Sequence, residues 1–162
     1  MTAPPEAPGP IWTAFSRFIA IPAVSRFAMS FASMVDRPLL RISRGRFRLS
    51  FVIPCLLLRV RGARTGVLRE VALLYVPDGE DVLLVGSGGG SEREPAWARN
   101  LRANPDVTTL LAGEEQQRRA ELLSETARMR AWELAVATYP GFDRYQARLG
   151  REIPVFRLRR VS

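Results

Sequence analysis

The residues best suited to hold a ligand in this chain run from Gly86 to Gly90 and read GSGGG. They follow an apolar run, Val82 to Val85, and precede Pro95 at the predicted start of a short helix carrying Trp97 and Leu101 on one face. Glycine lets a backbone come close to a flat ligand and turn amide N–H groups toward anionic oxygens. A helix opening nearby adds further unpaired donors. Such a stretch suits a ligand that is part ring and part anion. A dinucleotide fingerprint fits poorly, because its helix begins within the glycines and an acidic residue closes the following strand. Here the helix waits until Pro95, and Asp106 stands before the next apolar run. From this loop alone, a plain glycine-rich strand exit is an equal alternative.

The titratable inventory narrows the chemistry. The chain has 162 residues and a net charge of +8, contains no histidine, and draws all its basic residues from arginine. Arginine presents a planar fork that matches phosphate and carboxylate, so nucleic acid, an anionic membrane face and a polyanionic cofactor are all compatible partners. Without histidine, neither a Ser-His-Asp or Cys-His couple nor a histidine-ligated zinc site can be built. Cys55 is the only cysteine and lies in the apolar run FVIPCLLL, which predicts a buried small hydrophobe and no thiolate metal cluster. No metal site is expected. If the protein is an enzyme, a bound cofactor carries its chemistry.

The elements that must position these residues fall into two parts. Residues 1–45 read as a proline-rich disordered tip, Met1 to Pro10, followed by an amphipathic helical arm from Ile11 to Leu40 split at Pro22. Arg17 and Arg26 interrupt the arm's apolar content and argue against a membrane span. The arm is expected to pack on its own barrel or on a second subunit; the sharper alternative lays it on an anionic membrane surface, aided by Arg37, Arg41, Arg44, Arg46 and Arg48. The tip lacks the positive region of a signal peptide, so a cytoplasmic location is expected, peripheral to the membrane if the arm binds there. Residues 46–162 read as one domain of closely spaced strands: Phe51 to Val60, Val71 to Val76, Val82 to Val85, Val107 to Leu111, Arg118 to Leu122 and Ile153 to Leu158. Turns are expected at Arg64-Thr65-Gly66, Asp78-Gly79 and Gly113-Glu114. Ser124 is a candidate cap for a helix through Ala137, and a further short helix runs from Phe142 to Leu149. Hairpin-joined strands with few intervening helices predict an α+β protein whose antiparallel sheet curls into a barrel.

Taken in order, Gly62-x-Arg64-Thr65-Gly66, Arg69, LLY at Leu73 to Tyr75, VGSGGG, PAWxxNLxANP from Pro95 to Pro105, YPGFxxYQ from Tyr139 to Gln146 and REIPV from Arg151 to Val155 resemble the deazaflavin-dependent nitroreductase and quinone reductase family. The resemblance covers roughly Asp36 to Arg159. It implies a split β-barrel of the flavin-reductase and pyridoxamine-oxidase kind, binding of coenzyme F420, and hydride transfer from its reduced form to a quinone, a nitro group or an activated C=C bond. It also implies a small electrophile as substrate. Nucleic acid is not an expected partner, and a homodimer is an open alternative. Carried across, the family's contacts place the cofactor against Ala63, Arg64 and Thr65; Arg69, Glu70, Val71, Ala72, Leu73 and Leu74; Val85, Gly86, Ser87 and Gly88; and Ala96, Trp97, Ala98, Arg99 and Asn100. Phe142 and Trp97 would line the substrate side, and Tyr139, Tyr145 or bulk water would deliver the proton. This chain has Gly88 where many members have lysine, Ala72 where a proline is common and Phe142 where tyrosine is frequent. A non-catalytic barrel sequestering lipid or cofactor, and an FMN enzyme on the same architecture, are the alternative readings.

Overall fold

Seven strands and three helices follow one another in the computed structural model, which describes residues 54–161. The expected tip and arm, and the boundary near residue 45, lie outside the described residues. The strands are β1 (Cys55–Arg61), β2 (Leu68–Leu74), β3 (Val76–Asp78), β4 (Asp81–Val85), β5 (Asp106–Leu111), β6 (Glu114–Leu122) and β7 (Val155–Arg160). Helix α1 (Ala96–Ala103) connects β4 to β5, while α2 (Glu125–Thr138) and α3 (Gly141–Arg148) connect β6 to β7. All pairings are antiparallel, in the order β2-β1-β5-β6-β7-β4-β3. The two edge strands, β2 and β3, are neighbours in sequence, separated only by Tyr75. One length of chain therefore pairs with β1 before Tyr75 and with β4 after it, curling the sheet into the α+β split barrel. Tyr75 N–H donates to Pro54 O at 3.1 Å on this corner.

Alternation along the strands explains the two cores. On β4, Val82 and Leu84 enter the barrel interior with Leu56, Leu58, Val60, Val107, Phe156 and Leu158. Leu83 and Val85 face the other way, into a cluster with Ala131, Ala135, Tyr139, Phe142, Tyr145 and Ile153 beneath α2 and α3. Because both faces of β4 are covered, its sequence is a continuous apolar run. Cys55 is buried, as expected of its setting.

Three local expectations are corrected. The β5–β6 turn is Ala112-Gly113, both at positive φ (51° and 92°), so Glu114 already belongs to β6. That pair of angles is what a two-residue hairpin requires. Strand β6 consequently starts four residues before Arg118; its EEQQ segment carries no apolar alternation and is held instead by the ladder to β5. Finally, the Ser124 side chain makes no capping hydrogen bond: Glu125 sits at φ 49°, and the chain enters α2 through this kink.

Candidate functional site

The turn between β1 and β2 is closed by its own backbone. Gly62 N–H donates to Val67 O, and Gly66 N–H donates to Gly62 O, each at 2.9 Å. Gly66 adopts φ +65°, the region that favours glycine, and a Cβ on Gly62 would stand 2.8 Å from Thr65 Oγ1, a hydroxyl that would have to turn aside. Helix α1 locks onto this turn through one side chain on the helix and one at its C-cap. Asn100 Oδ1 accepts the Ala63 N–H at 3.0 Å, and Asn104 Nδ2 donates to Arg61 O at 3.2 Å.

Between turn and helix lies a cleft of about 270 Å³ lined by Gly62, Ala63, Arg64, Thr65, Arg69, Arg99 and Asn100. Six of these are expected cofactor residues; Gly62 and the bracing Asn104 were not placed in the site, although both belong to the motifs that carry the family resemblance. Elsewhere, Arg59, Arg102, Arg119, Arg157 and Arg159 are neutralised by Glu70 and Glu115, Glu94, Asp106, Asp78 and Glu121 respectively. No ion pair or side-chain hydrogen bond engages the guanidinium groups of Arg64, Arg69 or Arg99 among the described residues. Three free planar cations around one concavity have the chemistry to hold phosphate or carboxylate groups.

The remaining expected residues divide by position. Val71, Leu73, Trp97 and Ala98 pack into the barrel interior, with Trp97 edge-on to Phe156 at 6.0 Å. Glu70 is engaged by Arg59 Nε at 2.8 Å, while Ala72 and Leu74 are half-buried and Ala96 is exposed. Strand β2 runs close to β4, which leads from Val85 into the glycine loop. In that loop Gly86 N–H donates to Pro154 O at 2.8 Å, and Gly90 N–H to Ser87 O at 3.0 Å. Added Cβ atoms at Gly86 and Gly90 would stand 2.6 Å from Pro154 and 2.9 Å from Tyr145. Internal packing therefore explains the glycines at these two positions. Gly88 and Gly89 adopt φ +59° and +66°.

Tyr139, Phe142 and Tyr145 come together in the buried cluster under α2 and α3. Phe142 meets Tyr139 edge-on at 5.1 Å, and the two phenol oxygens lie 3.4 Å apart. Tyr145 is 1% exposed. Burial, and then the bond to Tyr145, push the Tyr139 phenol well above its ordinary range.

Residues 40–159 match the sequence profile of the F420H(2)-dependent quinone reductases. An F420H(2)-dependent quinone reductase of Mycobacterium tuberculosis is 36% identical over 110 residues, which span 66% of this chain and 74% of that protein. A solved structure described as an F420-H2 dependent reductase superposes with a TM-score of 0.61 at 35% identity, covering 65% of this chain and 93% of the other. A second, described as a domain-swapped dimer, gives 0.63 at 32% identity, covering 77% and 96%.

Proposed function

The chain belongs to the F420H(2)-dependent quinone reductase family and is an F420-dependent oxidoreductase, and we propose that its cleft, glycine loop and buried aromatics divide the work of quinone reduction among them. The carrying observation is the convergence of Arg64, Arg69 and Arg99, all without protein partners among the described residues, on one cleft. This donor set fits the phosphate and glutamate groups of F420, which call for charge-assisted and bidentate contacts. The flat ring fits along β2 at Ala72 to Leu74, across from Val85 to Gly88, where the sheet is split. When bound, reduced F420 supplies the hydride. The chain's own residues orient the ring, exclude water from one face and leave the other open to the acceptor.

The acceptor reading extends beyond quinones to nitro groups and activated C=C bonds. Its proton comes from bulk water on this reading, because the Tyr139 and Tyr145 hydroxyls are buried against each other and Tyr139 holds its proton more tightly than an ordinary phenol. Phe142 and Trp97 then act as apolar walls. No helix among the described residues is long and apolar enough to cross a membrane. Association of residues 11–40 with an anionic membrane face, and a homodimer, are part of the proposal.

Fluorescence titration tests the cofactor reading. Oxidised F420 should bind more tightly than FMN, with affinity falling as salt rises, because screening acts on exposed arginines. FMN binding of equal or greater strength at low salt would overturn it.

A further inference from the structure

Arg151 lies outside the cleft and far from the glycine loop in sequence, yet its guanidinium is the loop's main anchor. Nη2 donates to Gly86 O and Ser87 O, both at 3.3 Å, and to Ser91 O at 2.8 Å; Nε donates to Glu92 O at 3.0 Å. The next link comes from Glu92 Oε1, which accepts the Gly150 N–H at 3.4 Å. No carboxylate pairs with Arg151 among the described residues. Nε and Nη2 are spent on backbone carbonyls, while Nη1 is buried without a partner among the described residues.

This arrangement fixes where the loop's amide hydrogens point. Among the described residues no peptide bond is cis, and in a trans peptide the C=O and the following N–H point in opposite directions. Drawing Gly86 O and Ser87 O toward Arg151 therefore turns the N–H groups of Ser87 and Gly88 away from it. Neither has a partner among the described residues, although Ser87 is only 3% exposed. Buried backbone donors are almost always paired. Two adjacent unpaired donors, one on buried Ser87 and one on half-buried Gly88, stand beside the end of β4.

We propose that Arg151 is a positioning residue: by holding four carbonyls of the Gly86–Glu92 loop it aims the Ser87 and Gly88 N–H donors at the polar edge of the bound ring. This rests on the F420 reading above, with the anionic tail held separately by Arg64, Arg69 and Arg99.

The test uses full-length protein carrying Arg151→Ala and Arg151→Lys. Hydrogen–deuterium exchange without cofactor should show faster exchange confined to residues 86–92, with β4, β7 and α2 unchanged. Oxidised F420 should retain its Kd within about threefold, since the tail contacts are intact, while kcat for quinone reduction falls by up to about 10²-fold, the scale of a misplacement of about 1 Å. Guanidinium ion added to Arg151→Ala should restore part of kcat and of the exchange protection. Arg151→Lys keeps the charge without the fork and should show the same split to a smaller degree, which keeps the test intact if the alanine variant does not fold. Unchanged loop exchange, or kcat within about threefold of wild type in both variants, would overturn the proposal. Failure of the wild type to bind F420 would instead sink the cofactor reading and leave the exchange result to judge Arg151's hold on the loop.

Discussion

At the scale of single residues, the site separates into groups whose types announce their use and groups whose use depends on where the fold sends them. Arg64 and Arg69 were legible from motif and charge together, Arg99 and Asn100 from the motif alone, and the four line one cleft. The aromatic trio was harder to read: a tyrosine in YPGFDRYQ looks the same whether its hydroxyl meets a substrate or another phenol. Burial decides the matter for stability. The Tyr139 phenol is raised by folding, so the unfolded chain gives up that proton first as alkali is added. The native state then binds more protons than the unfolded one, and stability falls with rising pH. The contribution is fully present below about pH 10, the ordinary phenol value, and is lost above it. Tyr139→Phe should flatten that alkaline decline in urea titrations between neutral pH and pH 11. It should also leave kcat within about threefold of wild type, since the long bond to Tyr145 contributes little. A collapse of kcat without loss of folded protein would make the phenol the proton donor.

At the scale of elements, hydrophobic patterning found the strands with two covered faces or clear alternation and missed what the ladder alone creates. Strand β4 and the interior stretch of β1 were plain in the sequence, whereas Glu114 to Gln117 of β6 gave no apolar signal. The reason for that polar strand includes one buried cation. Arg118 is 3% exposed, and burial pulls its guanidinium below its ordinary value. From β6 it donates to Thr109 Oγ1 on β5 at 3.2 Å, Leu158 O on β7 at 3.0 Å and Glu80 O in the β3–β4 turn at 2.9 Å. One side chain thus ties neighbouring strands to a hairpin. Arg118→Ala would leave at least two carbonyls without their donor, and a cost of about 2–5 kcal/mol is expected in chemical denaturation. A loss below about 0.5 kcal/mol, typical of a surface site, would mean that water replaces it. The glycine loop was legible in part: its closeness to a flat partner was expected, but Gly86 and Gly90 make room for Pro154 and Tyr145, contacts no local pattern reveals.

At the scale of the whole molecule, the barrel and its antiparallel class followed from the spacing of turns, while closure through Tyr75 did not, because one residue between two strands leaves no mark in composition. Within the sheet, the β1–β2 hairpin meets the rest through Leu57, Leu58 and Arg59 paired with β5, and through the Tyr75 corner. The cleft stands across that junction: Arg64 and Arg69 belong to the hairpin, Arg99 and Asn100 to α1. Both walls come from one chain here, so a mixture of Arg64→Ala/Arg69→Ala protein with Arg99→Ala protein should bind F420 no better than its components. Restored affinity after joint refolding would show hairpins traded between copies. A ligand gripping both walls acts as a rivet across the junction, and at about 100 times its Kd it would add about 2.7 kcal/mol to the intact form. Occupancy and barrel integrity then become one equilibrium, and protease cutting between β2 and β3 would serve as a gauge of how much of the protein carries its cofactor.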